Sequence, residues 1–139
     1  MNAECFLDTN VLVYAAAGRK GEERKRRRAL DLIESTQWGL SAQVLQEFYV
    51  TVVRKAATPM TAAAALEWVR QFRAFPCVSI DADLVEMAAA HSVRYGISYW
   101  DGAIVAAAEM LGARVLFSED LNDGQRMGAV LVRNPFVES

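Results

Sequence analysis

The sequence contains little cysteine or histidine, and these shortages argue against a disulfide framework and a zinc site. Its 139 residues include two cysteines, one histidine and three prolines. Cys5 and Cys77 stand alone, without the paired spacing of a disulfide framework, so we expect reduced thiols in a cytoplasmic protein. A single histidine, His91, with no cysteine cluster argues against a zinc site. No apolar run approaches the roughly 18 residues that cross a bilayer, and no basic segment precedes the first apolar stretch, so we expect neither a membrane span nor a secretory signal.

Net charge is also nearly absent, at −2, but the charges are segregated along the chain. Seven of the 15 lysines and arginines lie in the segment RKGEERKRRR, residues 19–28, while acidic residues cluster at 119–123. This segregation says more about partners than the total charge does. The hydrophobic content of 53% with 23% charged residues is typical of a globular chain. The length predicts one domain over residues 1–139.

Short aliphatic strands alternate with helices along the sequence. We predict strands at residues 4–7, 38–40, 77–80, 114–117 and 129–134, with helices after residue 8 and over residues 22–36, 41–56, 61–75, 81–95 and 98–111. The alternation predicts a three-layer α/β/α fold around a central, mostly parallel sheet of four to five strands. Ligands of such sheets bind beyond the carboxyl ends of the strands, so the residues that follow each strand are the first candidates for a site.

Several acidic residues occupy such positions. Asp8 follows the first strand, and Asp120 and Asp123 follow the strand RVLF. Glu47 and Asp101 lie on helices, on the side that carries the apolar residues, where an ionised carboxylate is costly unless it is paired or binds a metal. Carboxylates gathered at one edge repel one another, and Mg²⁺ or Mn²⁺ would neutralise them through the oxygen ligands that these ions prefer.

Most of these acids also have a simpler explanation. Asp8 can cap the following helix, and Asp101 fits a capping box that begins at Ser98. The stretch SEDLNDG has the composition of a solvated turn. Glu47 is the exception, because a glutamate in the middle of a helix has no capping role. Taken one at a time, the other acids remain open to either interpretation.

Four segments carry these acids in order: FLDTNVLVY, SAQVLQEF, ISYWDGAIVAAA and LFSEDLNDGQRMGAVLVRNPF. Together they resemble the PIN-domain ribonucleases, and within them the VapC-type toxins of bacterial and archaeal toxin–antitoxin pairs. The first segment alone is a weak signal, whereas the set of four in the family's order is specific. The resemblance implies a PIN-like fold over nearly the whole chain.

The resemblance also implies an acidic site that holds one or two Mg²⁺ or Mn²⁺ ions. Carried over residue by residue, its members are Asp8, Glu47, Asp101 and Asp120, with Asp123 as a candidate fifth ligand and Asn10 and Ser118 as supporting polar residues. Glu119 is a bystander, because the family's spacing of Ser or Thr, any residue, then Asp selects Asp120. The implied activity is metal-dependent endoribonuclease cleavage of single-stranded or loop RNA that leaves 5′-phosphate and 3′-hydroxyl ends. The implied partners are the RNA substrate, a small cognate antitoxin and a second copy of the chain in a homodimer.

An acidic site does not attract a polyanion by itself, so the basic run RKGEERKRRR is the predicted source of RNA affinity. Within it, Arg26, Arg27 and Arg28 are the candidate RNA-binding residues. The alternative is a solvated helix face with Glu22–Arg26 and Glu23–Arg27 pairs.

Aromatic residues at helical spacing form a second feature with two interpretations. Trp68, Phe72 and Phe75 could present a surface to an antitoxin. They could equally belong to the core.

Three other functions compete with a nuclease. A receiver-like signalling domain needs an acidic pair at the first strand and a lysine after a late strand. Here the first strand is followed by a single acid, Asp8, and the lysines, Lys20, Lys25 and Lys55, do not follow a late strand. A haloacid-dehalogenase-type phosphatase needs an aspartate where Asn10 stands. A catalytically silent PIN-like module that binds RNA or a partner keeps the whole acid set without using it, and the sequence leaves this alternative open.

Overall fold

The computed structural model describes residues 2–137 as six helices and six strands, with a π-helical turn after α3. The strands are β1 (Cys5–Leu7), β2 (Trp38–Ser41), β3 (Cys77–Val78), β4 (Val115–Phe117), β5 (Arg126–Met127) and β6 (Val130–Arg133). The helices are α1 (Thr9–Ala17), α2 (Glu23–Ser35), α3 (Ala42–Val50), α4 (Ala62–Phe72), α5 (Ala82–Tyr95) and α6 (Tyr99–Leu111), and the π-helical turn spans Thr51–Lys55.

The strands form one sheet in the order β3-β2-β1-β4-β6-β5. All neighbouring strands are parallel except β5, which runs antiparallel to β6. The predicted α/β/α architecture with a mostly parallel sheet is confirmed, but the sheet has six strands rather than four to five. The additional strand, β5, has two residues, which is too short to show a period-2 pattern, and Gly128 at φ +59° allows the turn into β6.

Local signals place most helix ends near the predicted positions. A side chain at each of four N-caps accepts a hydrogen bond from the backbone N–H three residues later: Ser41, Thr61, Asp81 and Ser98. Gly96 and Gly112, both in the left-handed conformation, end α5 and α6 as predicted. The helix that we expected over residues 61–75 ends earlier, at Phe72.

The aromatic stripe of α4 packs into the core. Trp38, the first residue of β2, stacks on Phe75 with ring centroids 4.1 Å apart and meets Phe72 edge-on. Phe72 is only 3% exposed and also contacts Phe48 and Trp68. This packing favours the core interpretation of the stripe over the partner surface.

Helices α5 and α6 approach each other closely. A Cβ atom at Gly102 would lie 2.4 Å from the carbonyl oxygen of Ala88, so only glycine fits there without a shift of backbone. This contact fixes the start of α6, where Asp101 lies. Among residues 2–137, no helix is long and apolar enough to span a membrane.

Candidate functional site

Asp8 lies where β1 ends and α1 begins. Its backbone N–H donates to the carbonyl oxygen of Phe117 (3.0 Å), which ties it to the end of β4. The side chain is 6% exposed; its Oδ1 accepts from the Thr9 N–H (2.8 Å) and its Oδ2 from the Ser118 hydroxyl (2.8 Å). Asp8 is therefore both the N-cap of α1 and a buried carboxylate at the carboxyl edge of the sheet.

The loop after β4 brings Asp120 to the same edge. The fully buried Ser118 hydroxyl accepts from the Asp120 N–H (3.1 Å) as well as donating to Asp8. The Asn10 amide donates to Asp120 Oδ2 (3.1 Å), and its carbonyl oxygen accepts from the Glu119 N–H (3.2 Å). Asn10 and Ser118 thus connect the two aspartates across 112 positions of sequence.

The remaining two acids come from α3 and α6. Glu47 points toward the start of α1, and its Oε1 accepts from the Thr9 hydroxyl (2.8 Å). Asp101 lies in the first turn of α6. The buried Gln43, one turn before Glu47, donates from Nε2 to the carbonyl oxygen of Trp100 (3.2 Å) and so links α3 to the start of α6. Neither Thr9 nor Gln43 is among the predicted site residues. The sequence signal for them is position alone, since Thr9 follows Asp8 and Gln43 lies one turn from Glu47.

These side chains line one cleft with a volume of about 880 Å³. The carboxylates of Asp8, Glu47, Asp101 and Asp120 all border it. The cleft also has basic residues on its lining: Arg19, Lys20 and Lys55. The lining of the cleft therefore contains both acidic and basic side chains, at the carboxyl edge of the sheet.

The four acids interact electrostatically. Burial raises the pKa of Asp8 to about 7; hydrogen bonds from Ser118 and Thr9 oppose this shift, and the charges of Glu47 and Asp120 add to it. Burial also raises the pKa of Asp101, against the effect of its hydrogen bond with Ser98, and the charge of Asp120 raises it further. In the absence of a cation, the cleft therefore disfavours full ionisation of its acids.

The donor set suits a hard divalent cation. All four side chains offer carboxylate oxygens, which Mg²⁺ and Mn²⁺ prefer. The hydroxyls of Thr9 and Ser118 and the amide of Asn10 hold three of these carboxylates in place by hydrogen bonds. Within residues 2–137, no three acidic, histidine or cysteine side chains converge on one point as they are oriented. As oriented, Glu47 accepts a hydrogen bond from the Thr9 hydroxyl, and Asp120 accepts one from the Asn10 amide.

Two acids of the turn-rich segment face elsewhere. Asp123 Oδ1 accepts from the Asn134 N–H (2.9 Å), and its side chain borders a second pocket on the side of α2. Asp123 is thus the one predicted ligand that the structure does not bring to the cleft. Glu119, predicted to be a bystander, accepts from the Tyr14 hydroxyl (2.7 Å) and pairs with Lys25 (2.5 Å).

The basic run divides between two surfaces. Arg19 and Lys20, before α2, line the acidic cleft, whereas Arg28 donates to the carbonyl oxygen of Pro135 (3.1 Å). Arg27 and Arg28 border the second pocket. The predicted RNA-binding residues, Arg26, Arg27 and Arg28, are therefore not among those that the structure places on the lining of the cleft.

A family model described as "PIN domain" matches residues 5–126. The chain belongs to the PIN-domain family. Its fold is similar to that of several solved structures, among them a toxin–antitoxin complex from Klebsiella pneumoniae, with a TM-score of 0.71, 20% sequence identity, and 95% of this chain and 98% of that chain covered.

Two further structural neighbours carry VapC or VapBC in their names. Mycobacterium tuberculosis VapC20, described as a toxin that cleaves the sarcin–ricin loop, gives a TM-score of 0.66 at 20% identity over 84% of this chain and 89% of that chain. DNA-bound VapBC from Salmonella typhimurium gives a TM-score of 0.65 at 18% sequence identity, with 96% of this chain and 98% of that chain covered. No curated protein sequence matches the chain significantly. At these identities the neighbours establish the shared PIN fold.

Proposed function

We propose that this PIN-domain protein is a Mg²⁺- or Mn²⁺-dependent endoribonuclease that cleaves single-stranded or loop RNA and serves as the toxin of a toxin–antitoxin pair. The observation that carries the proposal is the gathering of Asp8, Glu47, Asp101 and Asp120 around one cleft at the carboxyl edge of a PIN sheet. One structural neighbour named as a toxin–antitoxin complex and another named as a toxin support the biological role.

The four carboxylates would hold one or two divalent ions. When bound, such an ion lowers the pKa of water, aligns the phosphodiester and stabilises the charge that develops on the leaving oxygen. The protein supplies the fixed positions: Asp8 is anchored by Thr9 and Ser118, and Asn10 orients Asp120. Hydrolysis by water needs no 2′-hydroxyl attack, so we expect 5′-phosphate and 3′-hydroxyl ends.

Electrostatics supports the requirement for a cation. Burial raises the pKa of Asp8 most, and the charges of Glu47 and Asp120 raise it further. A bound divalent ion would keep Asp8 ionised at neutral pH and remove the repulsion among the acids. We therefore expect the protein to need the ion for the electrostatic balance of its cleft as well as for chemistry.

Cleavage of mixed RNA by the purified protein, with Mn²⁺, Mg²⁺ or EDTA, tests the proposal. Cleavage should depend on the divalent ion, and mapping of the ends should show 5′-phosphates. Asp101→Asn and Glu47→Gln should each reduce the rate by about a hundredfold or more, because each removes charge that acts at the reacting centre. Asp123→Asn is the matched control, since Asp123 lies outside the cleft, and it should retain most activity.

The possible outcomes separate the alternatives. Full activity in both the Asp101 and the Glu47 variants would refute the site assignment. Absence of cleavage by the wild-type protein with either ion, combined with retained RNA binding, would favour the catalytically silent module.

We also propose two protein partners, a small antitoxin and a second copy of the chain. The support for the antitoxin is that one structural neighbour is named as a toxin–antitoxin complex. The second copy is what the resemblance to the VapC-type toxins implies. Expression of the protein alone should arrest growth, and Asp101→Asn should relieve the arrest without an antitoxin. Light scattering of the purified chain should give twice the monomer mass of 15.4 kDa.

A further inference from the structure

Trp100 is a large aromatic residue exposed on the lining of the cleft. It is 65% exposed and directly precedes Asp101. Its main chain is held in place, because its carbonyl oxygen accepts from the buried Gln43 amide (3.2 Å). Tyr99 meets the indole edge-on, with ring centroids 5.0 Å apart. The structure thus fixes the backbone beneath an indole that remains accessible, next to one of the four carboxylates.

Cations lie on the lining of the same cleft. Arg19 and Lys20 belong to the connection between α1 and α2, and Lys55 ends the π-helical turn that follows α3. All three residues are exposed. Arg19 also contacts Glu22 across 3.5 Å, and Glu22 lines the cleft as well. Exposed cations beside an acidic group suit a ligand whose own charge is negative and repeated along a chain.

We propose that single-stranded RNA crosses this cleft with one base stacked on Trp100 and with its phosphates contacted by Arg19, Lys20 and Lys55. The identity of the ligand as RNA rests on the proposed function. A single strand presents both features that the lining matches, since every base has a flat face and every linkage carries a phosphate. The phosphate contacts are thereby assigned to the start of the basic run and to Lys55, rather than to Arg26, Arg27 and Arg28.

The stacking contact is tested by fluorescence anisotropy in EDTA, with a labelled single-stranded oligouridine of about ten nucleotides as the probe. Trp100→Ala should weaken binding by about tenfold, the order expected for loss of one stacked base. Trp100→Phe, which keeps a ring, should restore most of the affinity. With an abasic probe of the same length, the wild-type protein and Trp100→Ala should bind equally, because no base is present to stack.

The phosphate contacts are tested through the salt dependence of the same binding. For a single strand, log affinity falls with log salt, and each phosphate contact adds about 0.7 to the steepness of that fall. The triple variant Arg19→Ala/Lys20→Ala/Lys55→Ala should therefore make the fall shallower by about 2. The matched control, Arg26→Ala/Arg27→Ala/Arg28→Ala, removes the same charge from outside the cleft and should leave the slope nearly unchanged.

Three results would overturn this inference. They are no measurable oligouridine binding by the wild-type protein, equal binding of oligouridine by Trp100→Ala, or equal loss of slope in both triple variants. Binding that depends on Trp100, without cleavage in Mn²⁺, would contradict the proposed nuclease activity and leave this RNA path intact.

Discussion

The variant Asp8→Asn should have opposite effects on activity and on stability, because the buried carboxylate serves RNA cleavage but lowers the free energy of unfolding when it is ionised. The wild-type side chain is a buried acid near two other acids, whereas asparagine has the same shape without the charge. Asparagine Oδ1 can still accept from the Thr9 N–H, whereas the hydrogen bond that the Ser118 hydroxyl donates to the second oxygen is lost. We expect the variant to lose RNA cleavage and yet to be more stable than the wild type at pH 8 in the absence of divalent ions.

The magnitude follows from the raised pKa of Asp8, which moves from 3.8 to about 7 in the folded state. Between these two values the folded state binds more protons than the unfolded state, so the free energy of unfolding falls as pH rises, by about 1.4 kcal/mol per pH unit. The fall begins above the unfolded pKa and levels off above the folded one. From pH 5 to pH 8 it amounts to about 2.5 kcal/mol, or about 8 °C in Tm for a chain of this length.

The assay is thermal unfolding of both proteins in EDTA at pH 5, 6, 7 and 8. The difference in Tm between Asp8→Asn and the wild type should widen by about that amount across the series. Asp123→Asn is the control, because Asp123 is exposed and lies outside the cleft, and it should follow the wild-type pH dependence. Added Mn²⁺ should stabilise the wild type at pH 8 more than it stabilises Asp8→Asn, since a ligand that binds the folded state raises its stability.

Two results would refute this reasoning. A difference in Tm that stays constant with pH would mean that the charge on Asp8 is not what destabilises the metal-free fold. A variant less stable than the wild type at every pH would mean that the hydrogen bonds to the ionised carboxylate outweigh the cost of its burial.

Three further predictions concern the scaffold around the cleft. Gly102→Ala should lower the free energy of unfolding in urea by about 1–3 kcal/mol, because its Cβ would lie 2.4 Å from the Ala88 carbonyl oxygen; a gain in stability, as helix propensity alone would give, contradicts this. Lys25→Met should speed hydrogen exchange at the Glu119 amide, because it removes the ion pair that Glu119 makes with α2; unchanged exchange would mean that the other hydrogen bonds of the loop suffice. Trp38→Ala should cost about 3–5 kcal/mol in the same urea assay, as expected for a fully buried indole, and a loss below about 1 kcal/mol would disagree with the observed packing.

Local chemistry explains why most element boundaries could be predicted. Ser98 caps α6 by accepting a hydrogen bond from the backbone N–H of Asp101, three residues later. Gly96 and Gly112 end α5 and α6 because glycine adopts the left-handed conformation at little cost. Such signals act within a few residues. The strand β5 has no comparable signal, because two residues pair with β6 only once the hairpin has formed.

The basic run shows where sequence proximity misleads. RKGEERKRRR reads as one positive segment, but its first residues precede α2 and the rest lie on that helix. Arg19 and Lys20 therefore line the cleft, while Arg28 contacts Pro135 on another surface. Successive positions on a helix point about 100° apart, so the packing of α2 decides which cations share a surface with the acids.

By itself, the sequence determined the alternation of strands and helices, the capping residues and the placement of acids after strands, because each depends on short-range periodicity and hydrogen bonding. Only the tertiary structure decided which acids share the cleft. Asp120 is held toward Asp8 through Asn10 and Ser118, which come from opposite ends of the chain. Asp123, three positions later, turns away because its carboxylate accepts from the Asn134 N–H after β6. The direction of a side chain in a turn is fixed by partners distant in sequence, and only folding brings those partners together.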